Sequence, residues 1–187
     1  MAEIAKPCLA RYARVRYWVQ DESNFSLRTV LRRRVTRCGV RPRVKTKSTR
    51  AGYSLYGAVE VRTGECFFLD GERMNADGFQ AFLDGFAEKH PADFHVMQVD
   101  NARFHTAARL ELPDNVMLLY QPPYSPEVNP IEQVWAWAKG EIAGEIFETV
   151  ADLKHRVNAV IAGAGEAAFK SIVHRQFILD ALERAGI

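Results

Sequence analysis

Three acidic residues stand where the periodicity of the chain changes. Asp21 follows a run in which Val15, Tyr17 and Val19 alternate with Arg14, Arg16 and Trp18. Asp100 follows the apolar run FHVMQV, residues 94–99. Glu132 lies within QPPYSPEVNPIEQVWAWAK, residues 121–139, where Pro122, Pro123, Pro126 and Pro130 fix φ and remove backbone donors. Counting by two places Asp21 on the face of Val15, Tyr17 and Val19, where a carboxylate needs a partner or a cation. The other reading is a solvated turn with Ser23 and Asn24. Asn129 suits an N-cap, Pro130 the first helical position, and Glu132 the first turn. Taken alone, an acid at a helix start is also what the helix dipole favours. If the three converge, they repel one another unless a cation neutralises them. Mg²⁺ takes a few carboxylates together with waters and substrate phosphates. Two such ions about 3.5–4 Å apart can activate an attacking oxygen and stabilise a leaving one in phosphodiester chemistry.

The elements that must position these acids follow from pattern. Residues 14–20 read as a strand ending in Asp21-Glu22. Residues 53–61 and 66–69, joined by a Thr63-Gly64 turn, complete a three-stranded antiparallel meander. Asn75 caps a helix to Lys89 in which Phe79, Phe82, Leu83 and Phe86 form an apolar stripe for the core. Residues 94–99 read as a buried, parallel strand and 116–120 as a further strand, with a short polar helix or turn at 106–110 between them. Trp135 and Trp137 are expected to pack. Helices over 150–162 and 169–184 follow, broken at Gly163 and Gly165.

The charge is asymmetric. Residues 23–59 contain no acid but hold Arg28, Arg32, Arg33, Arg34, Arg37, Arg41, Arg43, Lys45, Lys47 and Arg50. All 23 acids therefore lie elsewhere, although the formal net charge is only +2. A basic segment on an acidic body fits a polyanion such as nucleic acid on one side, or a solvated basic loop. Val30 to Val35 could form a short strand or an arm. No apolar run approaches membrane-span length, and the first ten residues lack a signal-peptide pattern. Cys8, Cys38 and Cys66 are odd in number and form no CxxC pair, which suits reduced cytosolic thiols and implies no zinc site.

Four blocks together resemble the catalytic domain of mariner-type bacterial insertion-sequence transposases. They are Gln20-Asp21-Glu22, Leu55-Tyr56-Gly57-Ala58, Asp100-Asn101-Ala102 with His105, and Pro122 to Pro126 continuing through Asn129-Pro130-Ile131-Glu132 to Trp135. The last block is the most specific. The resemblance implies an α/β, RNase H-like mixed sheet of three antiparallel and two parallel strands flanked by helices. It implies that Asp21, Asp100 and Glu132 are catalytic and bind Mg²⁺ (or Mn²⁺), with two ions expected, and it selects Asp21 over its neighbour Glu22. Such enzymes nick DNA at element ends and join the freed 3′-hydroxyl to target DNA. Asn101 and His105 are expected behind the metal ligands or on DNA. Arg32, Arg33, Arg34, Arg41, Arg43, Lys45 and Lys47 are expected on DNA phosphates. The implied assembly is a homodimer on DNA in the bacterial cytoplasm, associated with the nucleoid. Family members usually carry an N-terminal helix-turn-helix region. Here residues 1–187 are expected to form a single catalytic domain without it, so a separate N-terminal DNA-binding chain is a possible partner. Two other readings compete: a general RNase H-like nuclease that does not join, and a non-catalytic DNA-binding module.

Overall fold

The structure, a computed structural model, describes residues 11–33, 35–41, 43–122 and 128–186. Its centre is a five-stranded sheet: β1 (Val15–Ser26), β2 (Gly52–Glu60), β3 (Cys66–Gly71), β4 (Phe94–Val99) and β5 (Val116–Tyr120). The strand order is β3-β2-β1-β4-β5. β1, β2 and β3 pair antiparallel, while β4 joins β1, and β5 joins β4, in parallel. This is the expected mixed sheet.

Helices cover both faces. α1 (Ala76–Lys89) is capped by Asn75, whose side chain accepts from the Gly78 amide. Its Phe79, Phe82, Leu83 and Phe86 pack with Trp18, Tyr56, Met97 and Val99 in one core. Each such buried side chain contributes about 1.5–3 kcal/mol. The other face carries α2 (Ile131–Glu141), α3 (Val150–Val173) and α4 (Gln176–Ala185). There Val134, Trp135, Leu153, Val157 and Phe169 pack with Tyr17, Val19, Phe25 and Leu55. The alternation of β1 therefore sorts its side chains between two separate cores.

Several expectations are corrected. β1 does not end at Asp21 but continues to Ser26, because β2 goes on pairing with it, Asp21 opposite Gly57 and Glu22 opposite Tyr56. What stops near Asp21 is the parallel partner, whose last register pair is Val19 with Gln98. α2 begins one residue later than expected. Pro130 occupies the N-cap position, and among the described residues no side chain caps the helix. Asn129 is buried and its Nδ2 donates to the Gln20 carbonyl at 3.2 Å, just beyond the end of the parallel ladder. In the C-terminal third, Gly165 makes the expected kink with φ 72°. A second break falls at His174-Arg175, inside the expected helix 169–184. There the chain turns extended, and Arg175 Nη1 donates to the carbonyls of Ile172 and His174. The region 106–110 forms turns, one of the two forms expected there.

The connection from Leu27 to Ala51 is an arm without regular structure in its described residues. Its root continues the hairpin, with Leu27 N–H donating to Ala51 O and Thr29 N–H to Lys47 O. The root is also tied to the segment between α2 and α3, by Gly144 N–H to Val30 O and by Lys47 Nζ to the carbonyls of Phe147 and Glu148.

Candidate active site

Register alone brings two of the three acids together. Carried two residues beyond Val19 opposite Gln98, the β1–β4 offset sets Asp100 beside Asp21. Alternation gives both the face of Tyr17 and Val19. Asp21 is partly buried, and its Oδ2 accepts from Trp135 Nε1 at 3.0 Å. Burial, then the charge of Glu22 and more weakly that of Asp100, push the Asp21 carboxyl up to about 7. The Glu22 backbone N–H and the Trp135 N–H pull the other way.

Gly57 explains how an indole reaches this strand. A Cβ at Gly57, opposite Asp21, would stand 2.6 Å from the Trp135 ring and 2.7 Å from Phe68. The glycine of the Leu55-Tyr56-Gly57-Ala58 block is thus the notch into which Trp135 fits. Trp135 packs as expected, but its role as a donor to Asp21 was not anticipated.

Asp100 is held from the opposite side of the sheet. The Ala102 amide donates to Asp100 Oδ1 at 2.9 Å. His105 Nδ1 donates to the Asp100 carbonyl at 3.2 Å and lies 2.8 Å from Oδ1. His105 Nε2 donates to Glu22 Oε1 at 3.1 Å, and Gln20 Nε2 donates to the same oxygen at 2.7 Å. Glu22 therefore points away from Asp21, as alternation requires. Burial would lower the His105 pKa, but the hydrogen bond and charge of Glu22, joined by Asp100, outweigh it and raise it.

Glu132 lies in the first turn of α2, one turn before Trp135. Its side chain is exposed and makes no hydrogen bond or ion pair among the described residues. The structure thus sets Asp21 and Asp100 near enough for their charges to interact and leaves Glu132 on the neighbouring helix start. Among the described residues, no three His, Cys, Asp or Glu side chains are already gathered as a metal cage. The donor set nevertheless fits a hard divalent cation: carboxylate oxygens, one of them on an acid whose burial already disfavours its uncompensated charge.

The proline loop is fastened at both ends. Gln121 N–H donates to Val99 O, and Asn101 Nδ2 donates to Gln121 O at 2.7 Å. At the far end Gln98 Nε2 donates to Val128 O at 2.8 Å, and Tyr17 Oη donates to Gln98 Oε1. Residues 123–127, including Pro123 and Pro126, lie outside the described residues. Asn101 is therefore a loop tie. Lys139, one helical turn beyond Trp135, holds its ammonium 5.5 Å from the Phe25 ring centroid. Burial pushes its pKa down, while the charge of Asp21 opposes that shift. Its spacing of four residues from Trp135 and seven from Glu132 is the sequence signal that could have found it.

Of the expected DNA contacts, Arg32, Arg33, Arg41, Arg43 and Lys45 are exposed on the arm, and Arg34 lies outside the described residues. Lys47 serves as the tether described above.

The mixed sheet with flanking helices is an RNase H-like fold. A family profile described as DDE superfamily endonuclease matches residues 16–154, and the chain belongs to that family. An uncharacterized protein of Sinorhizobium fredii (strain NBRC 101917 / NGR234), y4pE/y4sA, is 31% identical over 101 residues, which are 53% of this chain and 75% of that protein. Among solved structures, the Mos1 mariner paired-end complex with Mn has a TM-score of 0.65 at 18% identity, covering 92% of this chain and 56% of the Mos1 chain. The Mos1 strand transfer complex has a TM-score of 0.65 at 18% identity, covering 92% and 55%. At that identity the likeness is one of fold, and this chain spans a little over half of the Mos1 chain.

Proposed function

We propose that this chain is the catalytic part of a transposase, cutting DNA at insertion-element ends and joining the freed 3′ end to target DNA. Family membership and the Mos1-like fold support this reading. The observation that carries it is the Asp21 carboxyl, raised to about 7 chiefly by burial and further by the charges of Glu22 and Asp100, at the end of the sheet where Asp100 follows β4. Asp21, Asp100 and Glu132 are the residues that would hold Mg²⁺ or Mn²⁺, and a pair of ions is the number proposed. When bound, such ions supply Lewis-acid polarisation of the phosphate and activation of the attacking oxygen.

The chain's own residues do the rest. Trp135 fixes Asp21 Oδ2, and the loop ties at Gln121 and Val128 fix where α2 presents Glu132. The exposed arginines of the arm position a duplex through its phosphates without reading sequence. Action by two copies on a pair of element ends is part of the proposal, in line with the paired-end complexes formed by Mos1.

The test is nicking and joining of element-end DNA with Mn²⁺ by the wild type and by Asp21→Asn, Asp100→Asn and Glu132→Gln. Each variant should fold and lose cleavage by at least about 10³-fold, the scale of removing a transition-state charge stabiliser. A variant that still cuts removes its residue from the site. Cutting without joining of a pre-nicked end would reassign the chain to a nuclease.

A further inference from the structure

The mechanism proposed above leaves Glu22 and His105 without a task. Glu22 is an acid directly beside a proposed metal ligand, yet it is turned to the other face of the sheet, with its side chain 4% exposed. A buried carboxylate is costly unless paired and hydrogen-bonded. It is both, accepting from Gln20 Nε2 and from His105 Nε2. His105 is fully enclosed. The Phe79 and Phe104 ring centroids each lie 4.4 Å from its own, and Tyr120 Oη donates to its carbonyl at 2.9 Å. The imidazole thus has little room to rotate.

Both ring nitrogens of His105 face oxygens that only accept: the Glu22 carboxylate on one side, and the carbonyl and Oδ1 of Asp100 on the other. A ring clamped between aromatics, with one nitrogen fixed on a buried carboxylate, holds the oxygens that its other nitrogen faces. Here that is Asp100, whose side chain is otherwise 49% exposed. With Ala102 N–H also on Oδ1, the interactions converge on one oxygen and leave Oδ2 without a hydrogen-bond partner among the described residues.

We propose that His105 is the positioning residue for Asp100 and that Glu22 is its buried brace. Together they form a chain that passes through the sheet, from the α1 core to the catalytic face, and sets the angle at which Asp100 meets a divalent cation. This rests on the active-site reading given above and deepens it. Groups that orient a metal ligand from behind commonly change metal affinity 10–100-fold when removed.

The experiment uses the whole metal-free chain. Mn²⁺ affinity is measured by electron paramagnetic resonance, and exchange of the Ala102 amide by hydrogen-exchange NMR. His105→Phe keeps a ring between Phe79 and Phe104 but removes both donors. Because it strands the Glu22 carboxylate, it is paired with the double variant Glu22→Gln/His105→Phe, which removes that charge. His105→Asn keeps a donor near the Nδ1 position. The expected result is Mn²⁺ binding weakened about 10–100-fold in the phenylalanine variants, faster Ala102 exchange, and recovery of most of both by His105→Asn. Mn²⁺ affinity within threefold of wild type in the double variant would overturn the proposal, because a purely structural histidine would lower the melting temperature without moving the metal constant. Asp100→Asn separates the two claims. If wild-type Mn²⁺ binding ignores that substitution, the active-site reading fails, and Ala102 exchange alone decides: accelerated in the double variant, His105 positions Asp100; unchanged, it does not.

Discussion

The two ends of the β1–β4 pair bury charge in opposite ways. At the end where both strands begin, every charge is matched. Arg16, 6% exposed, meets Glu65 at 2.5 Å and Asp93 at 3.7 Å. Arg14 takes Asp93 at 2.8 Å, and His90 takes Glu65 at 2.8 Å. Glu60, also buried, accepts from the amides of Arg62 and Thr63 and from the Thr63 hydroxyl. At the end where β4 stops, Asp21, Glu22 and Asp100 share His105 and the half-buried Lys139. Three buried polar atoms there have no partner among the described residues: Gln20 Oε1, Gln121 Nε2 and Asn129 Oδ1. The first end is a closed electrostatic clasp. The second gathers more carboxylate than cationic charge, which is what the proposed metal site requires.

This contrast can be broken from either side. The largest effect is on chemistry, where the three acid-to-amide substitutions should abolish cleavage and leave the fold standing. The matched end should respond in stability instead. Arg16→Met takes one partner from each of Glu65 and Asp93, leaving them His90 and Arg14, and chemical denaturation should show a loss of about 1–3 kcal/mol with cleavage per folded molecule intact. A cleavage defect at full stability would join the two ends functionally. Gly57→Ala should cost about 1–3 kcal/mol by overpacking, and it should shift Trp135 fluorescence as the indole leaves Asp21. An unshifted spectrum would mean that the notch is not needed.

Acid and base sharpen the contrast further. Asp21 is raised from 3.8 to about 7. Below about pH 4 it is protonated both folded and unfolded and contributes nothing. Between about 4 and 7 the unfolded chain ionises first, so stability falls as pH rises, and the loss is complete above 7. Asp21→Asn should therefore stabilise the metal-free protein at pH 8, by on the order of 1–3 kcal/mol, and have no such effect at pH 4. Glu65 runs the other way. Burial would raise it, but hydrogen bonds from Arg16 and His90 win and lower it. Its contribution is present above the ordinary carboxylate range and is lost as pH falls through its depressed value. Glu65→Gln should thus destabilise at neutral pH and converge on wild type in acid. Melting curves for both variants across this range check the pair, and parallel pH profiles would erase the distinction between the ends. The smallest effect belongs to the arm. Arg32→Ala with Arg33→Ala should reduce the salt slope of DNA binding by roughly one unit per lost phosphate contact, and an unchanged slope would make both residues solvated surface.

Much of this was legible in the chain. Two-residue counting placed Asp21 on the Tyr17–Val19 face and Glu22 on the other, and both cores respect it. The phenylalanine stripe of α1 and the Gly165 kink followed from periodicity and backbone freedom. The extent of β1 did not, because residues 21–26 are held in the strand by β2, a partner more than twenty-five residues away in sequence. Asn129 reads as a cap until a neighbouring strand offers an unpaired carbonyl. Trp135 as a donor to Asp21, and Glu22 as a brace for His105, depend on register between distant segments, which local patterning does not carry.

The arm's fastening also fixes a length. Between its anchors at Val30 and Lys47 run residues 31–46, and Val40 N–H donates to Arg37 O near their midpoint. Folded back at that turn, each limb has about eight residues and spans at most about 28 Å, at roughly 3.3–3.6 Å per residue. B-form DNA presents one charge about every 1.7 Å of axis. A fully extended limb could therefore lie along roughly sixteen backbone charges while its root stays fixed to the connector behind α2. The arm is a tether of bounded reach, and under the proposed function that bound would limit how far from the Asp21 face a duplex held by the arm can lie.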